Sequence, residues 1–276
     1  MFGISRQGIY QKVKRQLVRS QELDRVKELV VEQRLAMPRI GTRKLYFKLE
    51  ERFKNEHIKI GRDGLFEYLR HQHMLIKPLH SYKKTTNSKH WLHKHPNLIK
   101  GGYTPKKAEQ LWVADITYLD TKEQTGYLSL VTDAYSRKII GHYLHDSLHT
   151  DGVLKAFKAA LKTRKHKHKL IHHSDRGLQY CSAAYQALHD KHKIRCSMTD
   201  GYDCYQNALA ERVNGILKHE FLITKPQNLD QAKVMIDQAI KTYNEKRPHL
   251  SLNYKTPNQV HKQKVPANMK SARTIF

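Results

Sequence analysis

Three acidic residues have types and surroundings that could support chemistry on a phosphodiester. Asp115 lies in the apolar segment LWVADITYL, Asp175 ends the segment KLIHHSD, and Glu211 lies in NALAERVNGILKHE. Singly, each has an ordinary explanation, as a hydrogen-bonded strand residue, a turn residue and a solvated helix residue. Together, three carboxylates would repel one another until divalent cations relieved the repulsion, and hard oxygen ligands select Mg²⁺ or Mn²⁺. Two such ions can activate an attacking oxygen and stabilise a leaving oxygen.

The elements that must position these carboxylates follow from the hydrophobic pattern. Three β-rich segments, at 110–120, 127–136 and 138–147, precede a helix capped by Thr150 or Asp151. Strands at 169–175 and 194–198 then alternate with helices at 180–192 and 206–221, and a long helix follows near 229–245. This order predicts an α/β fold in which a mixed sheet carries helices on its faces.

The helix predicted at 206–221 has two contrasting stripes. Its apolar stripe consists of Leu209, Val213, Ile216 and Leu217. The opposite stripe carries Glu211 with Asn207, Asn214 and Lys218. We expect these last three residues to contact DNA, because an amide-rich face can approach a nucleic-acid backbone closely.

The charge of the chain also points to nucleic acid. Lys and Arg number 51 against 25 Asp and Glu, which gives a net charge of +26 over 276 residues. The first 78 residues have short amphipathic helical segments separated by Pro38 and Gly61, a pattern typical of a helix-turn-helix region. We expect its basic residues to contact DNA phosphates, in particular Arg43, Lys44 and Arg62.

Residues 79–105 read as a basic linker broken by Pro and Gly. It contains His90, His93 and His95, but no nearby Cys or carboxylate completes a zinc site, so no zinc is expected. The full predicted organisation is a helical DNA-binding region, the linker, a catalytic core, and a C-terminal helix with tail, at 1–78, 79–105, 106–224 and 225–276.

The localisation expected from the sequence is cytoplasmic, with no membrane partner. The longest apolar run, Leu111–Ala114, is far too short to cross a bilayer, and the first residues lack the apolar core of a signal peptide. Three cysteines without metal spacing fit a reducing compartment.

The motifs resemble those of a known family. ADITY, HHSDRGLQY and QNALAERVNGILKHE are similar to the three acidic motifs of DDE transposases with a retroviral-integrase-like core, and 35 residues separate Asp175 from Glu211, as in that family. The resemblance is to the second-frame product of bacterial insertion sequences made from two reading frames. It extends to RIGTRKLYFKL with GRDGLFEYLRHQHMLI, to KTTNSKH, and to TYNEKRPHLSLNYKTPNQV at 242–260.

This resemblance implies an RNase H-like fold, with Asp115, Asp175 and Glu211 as catalytic ligands of two Mg²⁺ ions, for which Mn²⁺ can substitute. It implies DNA strand cleavage and strand transfer at the element ends, and a DNA contact by Lys218. The partners it implies are double-stranded DNA at the element ends and the target, further copies of the chain in an active homo-oligomer, and an upstream-frame protein.

Two features depart from the family, and alternatives stay open. The sequence shows no sustained heptad run of the kind expected in the upstream segment, and no retroviral His-His-Cys-Cys zinc motif. One alternative is a DNA-binding regulator that is inactive without an upstream fused segment. Another is an RNase H-like nuclease. A tyrosine recombinase is disfavoured, because no grouping of Tyr with Arg and His supports it.

Overall fold

The protein is described by a computed structural model over residues 5–77, 92–166, 168–200 and 207–263. The chain divides into two compact units, Met1–His80 and Ser81–Phe276. The first part of the predicted linker, residues 79–91 with His90, lies outside the described residues, as does the end of the tail from residue 264. Within the described ranges, none of the helices has the length and apolar character needed to cross a membrane.

The N-terminal unit consists of helices with the predicted apolar periodicity. The helices are α1 (Arg6–Ala36), α2 (Thr42–Asn55) and α3 (Arg62–His71). The Ser5 hydroxyl accepts a hydrogen bond from the Gly8 N–H and caps α1. Apolar side chains from all three helices are buried in this unit: Val26, Leu29, Val30, Leu45, Leu49, Phe53, Leu65 and Leu69.

The second unit is built on a mixed sheet, which confirms the predicted α/β fold. Its strands are β1 (Leu111–Asp120), β2 (Thr125–Asp133), β3 (Ile139–His145), β4 (Ile171–Ser174) and β5 (Arg195–Met198). They lie in the order β3-β2-β1-β4-β5. The first three strands pair antiparallel, whereas β4 pairs parallel with β1 and β5 pairs parallel with β4. The strand β1 therefore lies at the centre of the sheet.

Helices cover both faces of this sheet. They are α4 (Thr150–Thr163), α5 (Ala183–Lys191), α6 (Ala208–Ile216), α7 (Leu229–Lys246) and α8 (Pro257–Lys262). Trp112 and Ala114 pack with α4 and α5 on one face. Leu119 packs with α6 and α7 on the other face, so α7 is part of the same core as the sheet. Alternate residues of β1 thus point to opposite faces, as predicted.

Several helix boundaries differ from the sequence prediction, and the helix predicted at 180–192 spans only Ala183–Lys191. The cap of α4 is His149 rather than Thr150 or Asp151, because the chain already enters the helical conformation at Thr150. The predicted helix at 206–221 is α-helical only to Ile216 and continues as a π-helical turn over Leu217–Phe221. In this wider turn the Leu222 N–H donates to the Leu217 carbonyl, five residues back.

The strand β3 and the helix α4 approach each other closely at Gly141. A Cβ atom at this position would lie 2.3 Å from the Ala156 carbonyl oxygen and 2.7 Å from the Ala160 nitrogen. Both are backbone atoms of α4, which cannot move aside as a side chain can. Glycine is therefore required here by the packing of a helix against the sheet.

We predict that Gly141→Ala lowers the free energy of unfolding by about 3 kcal/mol, because the helix must move away from the sheet. Urea unfolding followed by circular dichroism measures the change. Gly64→Ala in α3 is the matched control, since a Cβ atom at Gly64 would meet only the Ile60 Cγ1, at 3.4 Å. The control should gain about 0.5–1 kcal/mol from helix propensity. Equal stability of the Gly141 variant and the wild type would contradict the close approach.

Candidate active site

The structure places Asp115 and Asp175 at matching positions on neighbouring strands. In the parallel pair of β1 and β4, Val113 lies opposite His173. Two residues further along each strand direction, the chain reaches Asp115 within β1 and Asp175 just after β4. The parallel register therefore delivers both carboxylates to the same region of the sheet edge.

The turn after β4 fixes the carboxylate of Asp175. The N–H of Gly177 donates to Asp175 Oδ1 at 3.0 Å. A Cβ atom at Gly177 would lie 3.1 Å from this same oxygen, so the absence of a side chain there gives the carboxylate its space. Asp175 is half-buried.

Glu211 is brought to these aspartates by α6. This helix packs on the sheet through Ala210 and Val213, and Glu211 lies on its exposed side. Partial desolvation raises the pKa of Glu211, and the negative charge of Asp175 adds a smaller contribution in the same direction. The third predicted carboxylate is thus in electrostatic range of the second.

Asp115 experiences the field of both other carboxylates. Burial, the charge of Asp175 and the charge of Glu211 together raise its pKa to about 8, although the hydrogen bond from Asn214 acts in the opposite direction. The structure therefore brings the three predicted residues into one electrostatic cluster. Over the ranges 5–77, 92–166, 168–200 and 207–263, no three or more His, Cys, Asp or Glu side chains are arranged as a metal site.

The two asparagines of α6 have a different environment from the exposed, DNA-facing one predicted for them. Asn214 is buried, and its Nδ2 donates to Asp115 Oδ2 at 2.8 Å. Asn207 is also buried, and its Nδ2 donates to the carbonyl oxygen of Ala114 at 3.1 Å. Both amides thus join α6 to β1 beside the carboxylate. The helical pattern suggested one polar stripe and could not show that part of it faces the sheet.

The predicted DNA-contacting cations occupy two separate regions. Lys218 is half-buried in the π-helical turn that continues α6. In the N-terminal unit, Arg43 is exposed and Lys44 is half-buried in the first turn of α2. Arg62 begins α3, and its guanidinium donates to the carboxylate of Asp63 at 2.8 and 3.2 Å.

A buried tyrosine near the aspartates was missed by the sequence interpretation. Tyr180 is 2% exposed, and among the described residues its hydroxyl has no hydrogen-bond partner. Burial raises its pKa well above the usual value, and Tyr185, Asp115 and Asp175 add smaller contributions in the same direction. The only signal in the sequence is its place five residues after Asp175 in HHSDRGLQY.

We predict that Tyr180→Phe raises the free energy of unfolding by about 1 kcal/mol, because it removes a buried hydroxyl that has no partner. Tyr243→Phe is the control: that hydroxyl is equally buried but donates to the Arg137 carbonyl at 2.9 Å. The control should lose about 1 kcal/mol. Thermal and urea unfolding of both variants measure the difference, and equal destabilisation of the two would show that Tyr180 has a partner after all.

Comparison with known proteins supports one family for this site. Two models of the integrase core domain match residues 105–204 and 192–257. The insertion element IS600 31 kDa protein of Shigella sonnei is 34% identical over 261 residues, which cover 93% of this chain and 94% of that protein. The transposase InsF for insertion sequence IS3A of Escherichia coli (strain K12) is 36% identical over 152 residues, which cover 55% of this chain and 53% of InsF.

A solved structure confirms the predicted RNase H-like fold class. A chain in the structure of the simian T-cell lymphotropic virus intasome in complex with PP2A regulatory subunit B56 gamma superimposes with a TM-score of 0.53 at 18% identity, covering 86% of this chain and 76% of that chain. The sequence matches carry the family assignment, because the IS600 relative is matched over nearly its whole length and the integrase core models cover the three carboxylates. The chain belongs to the integrase-core transposases of bacterial insertion sequences, which are polynucleotidyl transferases.

Proposed function

We propose that this chain cleaves DNA at the ends of an insertion sequence and transfers the resulting strand to a target, with Asp115, Asp175 and Glu211 as its catalytic residues. The observation that carries this proposal is the parallel register that brings Asp115 and Asp175 together, where burial, then the charge of Asp175, and more weakly that of Glu211, raise the pKa of Asp115 to about 8. Asp115 and Asp175 come from the two central parallel strands and Glu211 from α6. Repulsion among these carboxylates is costly unless cations bind between them.

The donor set fits divalent magnesium, with manganese as a substitute. Carboxylate oxygens are hard ligands, and clustered negative charge favours two divalent ions over one. Asp115, Asp175 and Glu211 would hold them. When bound, the ions would activate the attacking oxygen and stabilise the leaving oxygen of the phosphodiester.

The other residues of the site position these ligands. The hydrogen bond from Asn214 Nδ2 fixes one oxygen of Asp115, and Gly177 N–H fixes one oxygen of Asp175. The bond from Asn207 to the Ala114 carbonyl holds the start of α6 against β1. Each bond therefore limits the side-chain entropy lost when the carboxylates take up cations.

Double-stranded DNA is the proposed substrate, both at the element ends and at the target. The net charge of +26 supplies a strong attraction to phosphates that does not depend on sequence. We expect Lys218 to contact DNA near the carboxylates, since it lies in the π-helical turn that directly follows the helix carrying Glu211. In the N-terminal unit, Arg43, Lys44 and Arg62 lie at the first turns of α2 and α3, where a helix terminus also favours phosphate.

We further propose that the active form is a homo-oligomer, bound to DNA in the bacterial cytoplasm. The structural neighbour of the same fold is part of an intasome. An upstream-frame protein as partner, and the four sequence regions 1–78, 79–105, 106–224 and 225–276, stay predictions.

We expect Asp115→Asn to reduce strand cleavage by several orders of magnitude and to leave DNA binding unchanged. Asn is nearly isosteric, so the fold should persist while a ligand carboxylate is lost. Cleavage of labelled end-containing duplexes with Mg²⁺ and filter binding of the same duplexes measure the two effects. Asp120→Asn, an exposed residue at the end of the same strand, is the control. Cutting at the wild-type rate by the Asp115 variant would remove this residue from the site.

We expect Lys218→Ala to slow strand transfer several-fold while changing stability by no more than about 1 kcal/mol. Loss of one phosphate contact should also reduce the slope of log affinity against log salt concentration by about one. Titrations at several salt concentrations measure this slope, with the exposed Lys241→Ala of α7 as control. An unchanged slope together with unchanged transfer would show that Lys218 does not contact DNA.

A further inference from the structure

Within the part of the chain that the structure describes, the first half of α1 is almost entirely exposed, and Arg19 near its end donates to the Lys59 carbonyl. All residues from Ile9 to Ser20 are exposed, whereas the buried residues of this helix are Val26, Leu29 and Val30 in its second half. A segment of this length is only marginally helical in water without packing. The first half of α1 therefore gains little of its helical stability from packing.

Exposed apolar side chains lie on one side of α1 in two groups, one towards each end, and together they are called the stripe. Their exposed fractions are large, at 50% for Ile9, 56% for Val13, 60% for Leu17, 44% for Val31 and 81% for Leu35. At 100° per residue, the five side chains fall within an arc of roughly 80° on the side of the helix away from the buried residues. Such a stripe is a helix-packing surface.

The charges of α1 determine which orientation of a second copy fits this stripe. The half from Arg6 to Ser20 has five cations and no acid: Arg6, Lys12, Lys14, Arg15 and Arg19. The half from Gln21 to Ala36 has four acids against three cations, the acids being Glu22, Asp24, Glu28 and Glu32. A parallel pair would place five cations beside five cations. An antiparallel pair places them beside the acidic half.

We propose that α1 pairs antiparallel with α1 of a second copy of this chain. In the register we propose, residue 20 of each copy lies opposite residue 24 of the other. This register places Val13 against the partner's Val31 and Ile9 against the partner's Leu35. Lys14 then lies on the same flank as the partner's Glu28. Both apolar ends of the stripe are covered by this one register, and both copies contribute the same surface, as a closed two-fold dimer requires.

The middle of the stripe explains the orientation and the lack of a heptad signature. Ser20 and Asp24 interrupt the apolar residues there. In the antiparallel register, each Ser20 hydroxyl faces the partner's Asp24 carboxylate, and such a polar pair fixes register at some cost in stability. The interruption also prevents the continuous apolar repeat by which a coiled coil is detected in a sequence.

Cysteine crosslinking of the full chain tests the orientation. All variants carry Cys204→Ser, while Cys181 and Cys196 stay because they are buried and burial raises the pKa of both thiols. Mild oxidation of an equimolar mixture of Val13→Cys and Val31→Cys chains should give a crosslinked dimer, and either variant alone should give at least tenfold less. Crosslinking of Val13→Cys alone would indicate parallel pairing and overturn the proposal, as would no crosslinking in any sample.

Sedimentation equilibrium of charge-insertion variants tests the surface itself. Val13→Glu should raise the dimer dissociation constant at least tenfold, because it places a carboxylate against the partner's Val31. Val18→Glu is the control, because Val18 is similarly exposed at 49% but lies off the stripe on the same helix. Equal dimerisation of both variants and the wild type would overturn the proposal. So would loss of DNA affinity in the Val13→Glu variant without any change in self-association, since DNA would then cover the stripe.

Discussion

The parallel pairing of β1 with β4 is the contact on which the rest of the catalytic unit depends. It is the only pairing in the described sheet that joins the antiparallel β1–β2–β3 half to the β4–β5 half. The same register that closes the sheet places Asp115 beside Asp175. Stability and chemistry thus share one set of backbone hydrogen bonds, and a shift of one residue would turn Asp115 toward the opposite face.

The helix α6 completes this arrangement by linking burial to electrostatics. Val213 of α6 and Leu217 of the following π-helical turn pack on the sheet, while Asn214 donates to Asp115 from the same packed side. The amide partly offsets the repulsion that the neighbouring carboxylates impose on Asp115. A helix that carried Glu211 without Asn214 would not offset this repulsion. The site is therefore held by a neutral donor before any cation is bound.

Much of this could be predicted from the sequence, because it depends on local patterns. The alternation of Trp112 and Ala114 with Val113 and Asp115 indicated β1 and its two faces, and motif spacing identified the three carboxylates. What failed depended on tertiary contacts. Burial of Asn207 and Asn214 follows from the position of α6 on β1, and the orphaned hydroxyl of Tyr180 follows from its packing in the core. The change to a π-helical turn after Ile216 likewise has no local sequence signal.

The π-helical turn also connects the C-terminal segment to the site through an ion pair. Within it, the carboxylate of Glu220 receives two hydrogen bonds from the Arg247 guanidinium, at 2.6 and 2.7 Å, and Arg247 is 3% exposed. An ion pair so well buried is rigid, since separating it would leave a charge without a partner. The ion pair therefore joins the end of α7 to the helical segment that begins with the helix carrying Glu211. The position of the last residues of α7 is thereby tied to the helical segment whose start carries Glu211.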